Sequence, residues 1–156
     1  MTYRIAGLDP ATFQPFFAMD AGQLAACRAT LQRASASRGF PCRVSLRDAD
    51  EGDELVLVHH VNHDVETPYR NAFAVFVRRA ANEAALYVDE CPPVFEGRPL
   101  AMRGYSEAGN LVAARLAMPG EADDIIRDML TDPAIAYIDA HNAAHGCFAA
   151  RVQRHG

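Results

Sequence analysis

The segment from His141 to Cys147 places two imidazoles and one thiol within seven residues, His141-Asn142-Ala143-Ala144-His145-Gly146-Cys147. A thiol beside an imidazole can act as a nucleophile, because an imidazolium stabilises the thiolate. Thiols and imidazoles are also common zinc ligands. The segment therefore predicts an activated thiol, a metal site or a tight polar turn, and the residue types alone do not choose between them.

A β-hairpin with residues 142–146 as its loop would bring the reactive groups together. Residues that face each other in such a hairpin have Cβ atoms about 5 Å apart. The expected opposed pairs are His141 and Cys147, Asp139 and Ala149, and Tyr137 and Arg151. Cys147 is then the candidate nucleophile and His141 its partner, with Asp139 or Asn142 orienting the imidazole. Gly146 supplies the positive φ that a tight loop needs.

A zinc site is the second hypothesis for this segment. It requires the strand that contains Cys42 to lie beside the hairpin, so that two thiolates and two imidazoles surround the metal. The four ligands would be Cys42, His141, His145 and Cys147. Their spacing matches no zinc finger or zinc knuckle. We therefore expect a protein without a cofactor, with zinc as the alternative.

Arginines on strands and adjoining loops suggest a third hypothesis, a pocket for a small anion. Two or three guanidinium groups converging near a tyrosine could bind a carboxylate or phosphate. The alternative is a set of surface ion pairs, which arise freely because each contributes little energy. All 15 basic residues are arginine, and coding bias also explains this composition. The candidate ligand-binding residues are Cys42, Arg43, Tyr69, Arg70, Arg103, Tyr105, Asn142 and Arg151.

Composition and charge argue against several classes of function. The net charge of −5 provides no basic surface for a nucleic acid backbone. We expect no membrane segment and no signal peptide, because the apolar runs are too short. The four widely spaced cysteines suit a cytoplasmic protein with reduced thiols. The length indicates one domain over residues 1–156, and a homodimer is the assembly to expect first because closed dimers are common.

Hydrophobic periodicity predicts an α+β fold, in which two or three helices pack on a mostly antiparallel sheet. Asp20 and Gln23 form a capping box, and the apolar spacing after them predicts a helix that buries Cys27. Alternation predicts a half-buried strand from Cys42 to Asp48, and a second helix is predicted over residues 121–130. Further strands are predicted over residues 2–8, 55–61, 72–78, 84–89, 100–106, 111–118, 134–141 and 147–153.

Several longer motifs resemble a bacterial family. They are Gly39-Phe40-Pro41-Cys42-Arg43-Val44-Ser45-Leu46-Arg47-Asp48-Ala49, Thr67-Pro68-Tyr69-Arg70, Phe76-Val77-Arg78, Arg103-Gly104-Tyr105 and the segment 141–147. With these motifs the chain resembles domain-of-unknown-function family 1203 over nearly its whole length. The resemblance implies no activity, cofactor or partner. It does imply Ser-Gly-Pro shortly after Pro-Tyr-Arg, where this chain has Asn71-Ala72-Phe73-Ala74.

Together these patterns favour a cytoplasmic protein that binds a small molecule, with an anionic metabolite as the expected ligand. Its pocket would lie between the polar face of the C-terminal hairpin and the segment from Gly39 to Asp48. We expect Cys42, His141 and Cys147 to belong to that pocket. The alternatives are an enzyme that uses the Cys147–His141 pair and a structural protein stabilised by zinc.

Overall fold

Nine strands in two antiparallel sheets dominate the computed structural model, which describes residues 1–156. The strands are β1 (Tyr3–Ala6), β2 (Ala29–Arg33), β3 (Glu54–His63), β4 (Asn71–Arg78), β5 (Leu86–Val88), β6 (Leu100–Tyr105), β7 (Leu111–Ala117), β8 (Tyr137–Asn142) and β9 (Phe148–Arg154). The α-helices are α1 (Ala21–Ala26) and α2 (Ala122–Met129), and short 3-10 helices cover Pro10–Thr12, Gln14–Ala18 and Pro93–Phe95. This arrangement confirms the predicted α+β class with a mostly antiparallel sheet.

The larger sheet has six strands in the order β5-β1-β9-β8-β6-β7. Helix α2 packs on one of its faces, where Ile126 shares a hydrophobic core with Met102 of β6 and Ile138 of β8. Side chains alternate between the two faces of a strand. Asp139 and His141 of β8 therefore lie on the face opposite α2.

The smaller sheet, in the order β2-β3-β4, contacts that second face of the larger sheet. The ring of Phe73 in β4 lies 5.2 Å from that of His141, and His63 of β3 stacks on Tyr105 of β6 at 4.0 Å. The smaller sheet has its own core, which includes Val56, Val58, Val75 and Val77. Asp139, His141 and Arg151 of β8 and β9 consequently lie between the two sheets.

Residues 40–48, here called the bridging segment, connect the two sheets. On one side, Cys42 forms an isolated bridge with Phe76 of β4. On the other side, the carbonyl oxygens of Val44 and Leu46 accept hydrogen bonds from Ala85 and Val94, at 2.9 and 3.1 Å. The bridging segment thus carries Arg43 to a position between the sheets.

The prediction of a half-buried strand from Cys42 to Asp48 is wrong. The bridging segment forms only isolated bridges and turns, and Leu46 has a φ of +53°. Its apolar and polar residues do not alternate between core and solvent, because Cys42, Arg43 and Val44 are all buried. A segment covered from both sides cannot show the one-sided exposure that the alternation indicates.

Both α-helices are short. The capping box of α1 is confirmed, with hydrogen bonds of 2.8 and 2.9 Å between Asp20 and Gln23. However, α1 ends at Ala26, and the chain turns through Arg28, with a φ of +53°, into β2, which pairs with β3. The prediction that Cys27 is buried is therefore wrong, and this thiol is exposed. No helix has the length and apolar character needed to cross a membrane.

Candidate functional site

The C-terminal hairpin contains a β-bulge that changes its register. Asp139 pairs with Arg151, but His141 pairs with Phe148, so β9 has one extra residue between these pairs. Three predicted pairs are therefore wrong: His141 with Cys147, Asp139 with Ala149, and Tyr137 with Arg151. A bulge places two residues of one strand opposite one residue of its partner, and the regular pairing assumed for this hairpin does not include it.

A pocket of about 600 Å³ opens between the loop of this hairpin, the bridging segment and β4. This volume is within the range of small-molecule sites. Leu57, Phe73 and Phe76 form much of its apolar wall. The polar side chains that line it are Arg43, Arg98, Asn142, His145 and Cys147.

Arg43 presents a buried positive charge to this pocket. Its side chain is 2% exposed, and its Nε and one terminal nitrogen donate to the carbonyls of Phe148 and Pro41, at 2.8 and 2.6 Å. The other terminal nitrogen lies 3.2 Å from the Cys147 sulfur. These contacts use three of the five N–H groups, and no carboxylate lies within ion-pair distance. Burial lowers the pKa of Arg43 from its ordinary value, because water solvates the charge poorly.

A second guanidinium, that of Arg98, lies near Arg43 and already has a partner. Arg98 donates to the Asp48 carboxylate at 2.7 Å and to the Val94 carbonyl at 2.9 Å. Its positive charge adds to the effect of burial in lowering the pKa of Arg43. The Asp48 carboxylate thus pairs with Arg98 alone, and Arg43 has a positive charge without a carboxylate partner.

The sulfur of Cys147 accepts hydrogen bonds from two side chains. Arg43 donates at 3.2 Å and the Asn142 amide nitrogen at 3.4 Å. Asn142 is only 8% exposed, and its amide oxygen has no hydrogen-bond partner. A buried oxygen without a partner is energetically costly. Asn142 thus contributes an acceptor without a hydrogen-bond partner to a residue that lines the pocket.

His141 makes no hydrogen bond with Cys147. Its imidazole is fully buried between Phe73 and Phe148, with ring centroids 5.2 and 5.9 Å away. Nδ1 donates to the carbonyl of Gly146 at 2.9 Å, and Gly146 has the predicted positive φ, at +79°. Burial lowers the pKa of His141 to about 4. The imidazole is therefore neutral at pH 7, with an unpartnered lone pair on Nε2.

The low pKa of His141 predicts a loss of stability in mild acid. Between its ordinary pKa of 6.5 and its folded value of about 4, the unfolded chain binds a proton that the folded chain does not. We expect the free energy of unfolding to fall by about 3 kcal/mol as the pH drops from 6.5 to 4. Urea denaturation at several pH values measures this slope, and His141→Gln should remove most of it. His60→Asn is the comparison variant. Burial lowers the pKa of His60 as well, so this variant measures the part of the pH slope that comes from His60 rather than from His141. An unchanged slope in His141→Gln would contradict the assignment.

Asp139 and Arg151 belong to a separate polar cluster between the two sheets. The fully buried Asp139 carboxylate accepts two hydrogen bonds from Arg151, at 2.6 and 2.9 Å. Arg151 also lies over the ring of Tyr137, 4.4 Å from its centroid, and the hydroxyl of Tyr137 is 2.7 Å from Nε2 of His63. Burial opposes the charge of Arg151, but the hydrogen bonds and charge of Asp139 outweigh it and raise its pKa. Asp139 is thus occupied by Arg151 and does not orient His141.

The remaining candidate ligand-binding residues lie outside the pocket. Tyr105 belongs to the inter-sheet cluster, and the centroid of the Tyr69 ring lies 6.3 Å from that of Tyr105 in an edge-on arrangement. Arg103 of β6 lies directly opposite Asp139 of β8. Burial raises the pKa of Tyr105. Arg70 is an exposed residue that pairs with Asp64 at 3.0 Å.

The four residues of the zinc hypothesis do not form a ligand set. Cys42 is fully buried, and its sulfur accepts hydrogen bonds from the backbone N–H groups of Ser45 and Arg78, at 3.4 and 3.3 Å. No group of three or more His, Cys, Asp or Glu side chains lies close enough together to hold a metal ion. The arrangement of these residues therefore does not fit a zinc site, although Cys147 and His145 both line the pocket.

Arg98, Phe76 and Phe73 are among the pocket residues that the sequence does not predict. Arg98 lies outside any recognisable motif, and its role depends on tertiary contacts with Asp48. Phe76 belongs to the motif Phe76-Val77-Arg78, but the apolar pattern of its strand predicts a core residue and gives no sign of a pocket. Phe73 lies where the family resemblance implies Ser-Gly-Pro instead. This difference in sequence is the one feature that could have indicated a pocket residue at this position.

Comparison with known proteins identifies a family. The family described as "Protein of unknown function (DUF1203)" matches residues 39–154, which include the bridging segment, the pocket and the C-terminal hairpin. No curated protein and no solved structure matches the chain. The chain therefore belongs to the DUF1203 family, as its motifs predict.

Proposed function

We propose that the protein binds a small carboxylate with an apolar body in the pocket between the hairpin loop, the bridging segment and β4. The observation that carries this proposal is the buried guanidinium of Arg43, which has no carboxylate partner. Buried charges in proteins are normally paired. A ligand that supplies one negative charge would complete this pair.

The number of free donors supports a carboxylate as the charged group. Arg43 has two N–H groups that the protein does not use, and a guanidinium can hold a carboxylate through two parallel hydrogen bonds. One uncompensated positive charge also matches a single negative charge better than a doubly charged phosphate. The free amide oxygen of Asn142 can accept a hydrogen bond from a hydroxyl or amine on the same ligand.

The rest of the pocket supports an apolar body. Leu57, Phe73 and Phe76 present hydrocarbon surface, and burying such surface against a ligand contributes about 25 cal/mol per Å² before the costs of association. The volume of about 600 Å³ accommodates an aromatic ring or a short alkyl chain as well as the carboxylate.

Phenylacetate and its neutral counterpart phenylacetamide test the proposal by calorimetric titration. Loss of a hydrogen bond to a charged group costs about 1.5–3 kcal/mol, so we expect Arg43→Met to weaken phenylacetate binding at least tenfold. Arg47→Met is the matched control, because Arg47 stands on the same bridging segment but is 43% exposed and pairs with Asp50. The wild type should prefer phenylacetate to phenylacetamide.

Asn142→Asp provides a second variant that keeps the shape of the side chain. The new carboxylate would lie beside Arg43, since both side chains contact the Cys147 sulfur. This carboxylate should pair with the Arg43 guanidinium and so weaken phenylacetate binding at least tenfold. Phenylacetamide binding should change little. Equal binding of the two compounds by the wild type, or full phenylacetate affinity in Arg43→Met, would contradict the proposal.

A further inference from the structure

We infer that Cys147 is a nucleophile that forms a thioether with bound carboxylates carrying an electrophilic carbon, and that Arg43 and Asn142 position its sulfur for this reaction. The inference rests on the proposed function, because the carboxylate must bind at Arg43. It extends that function by naming a reactive group and a class of substrate. It also assigns the partner of the thiol to residues other than His141.

Two hydrogen bonds hold the sulfur of Cys147 at the wall of the pocket. The sulfur lines the pocket and receives one donor from the cationic Arg43 and one from Asn142, at 3.2 and 3.4 Å. These contacts fix the position of the sulfur beside the guanidinium group that would bind the carboxylate. His141 makes no such bond, because its Nδ1–H is held by the carbonyl of Gly146.

A second observation indicates that a molecule belongs beside this sulfur. The amide oxygen of Asn142 is buried and without a partner, although the same amide holds Cys147 through its nitrogen. The unused N–H groups of Arg43 belong to the planar group that contacts the sulfur. A carboxylate bound to them lies next to the thiol, and an electrophilic carbon attached directly to that carboxylate lies within reach of attack.

The reaction is a simple displacement. A lone pair of the Cys147 sulfur forms the new sulfur–carbon bond, and the bond from that carbon to its leaving group breaks. The leaving group departs as an anion with the bonding electron pair, and the thiol proton passes to water. No oxidant, reductant or further reactant is required.

Iodoacetate and iodoacetamide test this inference, because they differ only in the charge of the group beside the reactive carbon. The folded wild-type protein is treated with each reagent at pH 7, and modification of each cysteine is followed by peptide mass spectrometry. Cys27 is exposed and serves as the internal control in every sample. We expect the iodoacetate-to-iodoacetamide rate ratio at Cys147 to exceed that at Cys27 about tenfold, the effect of one charge-assisted contact. In Arg43→Met the two ratios should become equal, whereas Arg47→Met should retain the difference.

Protection by phenylacetate separates this inference from the proposed function and needs no variant. If both hold, phenylacetate slows the alkylation of Cys147 by either reagent and leaves Cys27 unaffected. Protection without a preference for iodoacetate would overturn the nucleophile and leave carboxylate binding in place. A ratio at Cys147 equal to that at Cys27, with no protection, would overturn both.

Discussion

Replacing Asp139 with alanine is expected to lower the free energy of unfolding by about 2 kcal/mol, less than the cost of breaking a fully buried ion pair, because the Arg151 side chain is 34% exposed to water. The Asp139 carboxylate is fully buried and accepts both of its short hydrogen bonds from Arg151, at 2.6 and 2.9 Å. Without it, the guanidinium would keep one hydrogen bond, to the carbonyl of Asn62 at 3.1 Å, and its contact with the ring of Tyr137. Urea denaturation of the variant and the wild type measures the difference.

Two further variants test whether the loss of stability comes from the Asp139–Arg151 pair. Asp64→Ala removes an exposed carboxylate that pairs with Arg70 at 3.0 Å, and should cost less than about 1 kcal/mol. Adding Arg151→Met to Asp139→Ala should recover part of the lost stability, because no unpaired charge then remains between the sheets. A loss in Asp139→Ala as small as that in Asp64→Ala would contradict the structural role assigned to Asp139.

Gly7→Ala is expected to have a larger effect, of about 3 kcal/mol or more, through overpacking. A Cβ atom on Gly7 would lie 1.9 Å from the carbonyl oxygen of Val44. That oxygen accepts a hydrogen bond from Ala85 at 2.9 Å, and the neighbouring carbonyl of Arg43 accepts one from Leu8 at 2.8 Å. The backbone of the bridging segment must therefore move, and Arg43 must move with it. Thermal or urea denaturation measures the loss, and weaker phenylacetate binding should accompany it.

Gly22→Ala is the matched control for Gly7→Ala. Gly22 lies in α1, and the nearest atom to its added Cβ is a carboxylate oxygen of Asp20 at 3.4 Å, an ordinary contact. Alanine favours a helix over glycine by about 1 kcal/mol, so this variant should be neutral or slightly more stable. Equal stabilities for Gly7→Ala and the wild type would show that β1 and the bridging segment are less closely packed than described.

The elements that the sequence predicts well are those with local signals. Strands β6 and β7, helix α2 and the Asp20 capping box each depend on residues close together in the chain, and all are present. By contrast, the apolar spacing from Leu24 to Leu31 suits a helix, but the second part of that stretch pairs with β3 instead. Tertiary hydrogen bonding there outweighs a local preference that is worth only tenths of a kcal/mol per residue.

The site was predictable only in part, for the same reason. Arg43, Asn142 and Cys147 were all predicted and do meet at the pocket. The partner of the thiol could not be predicted, because the bulge displaces Cys147 from its position opposite His141 and because the contact with Arg43 joins residues far apart in the chain. Asp139 is predicted to orient His141, and Arg151 and Tyr105 are predicted to bind the ligand, but all three belong to the inter-sheet cluster rather than to the pocket.

A crystal structure of the protein with 4-bromophenylacetate would test the central claim most directly, since anomalous scattering locates the bromine without ambiguity. The account predicts that the carboxylate lies about 3 Å from the terminal nitrogens of Arg43 and that the ring lies against Phe73 and Phe76, beside Cys147. A pocket that stays empty at saturating concentration, or a carboxylate bound only to surface arginines such as Arg70, would contradict it.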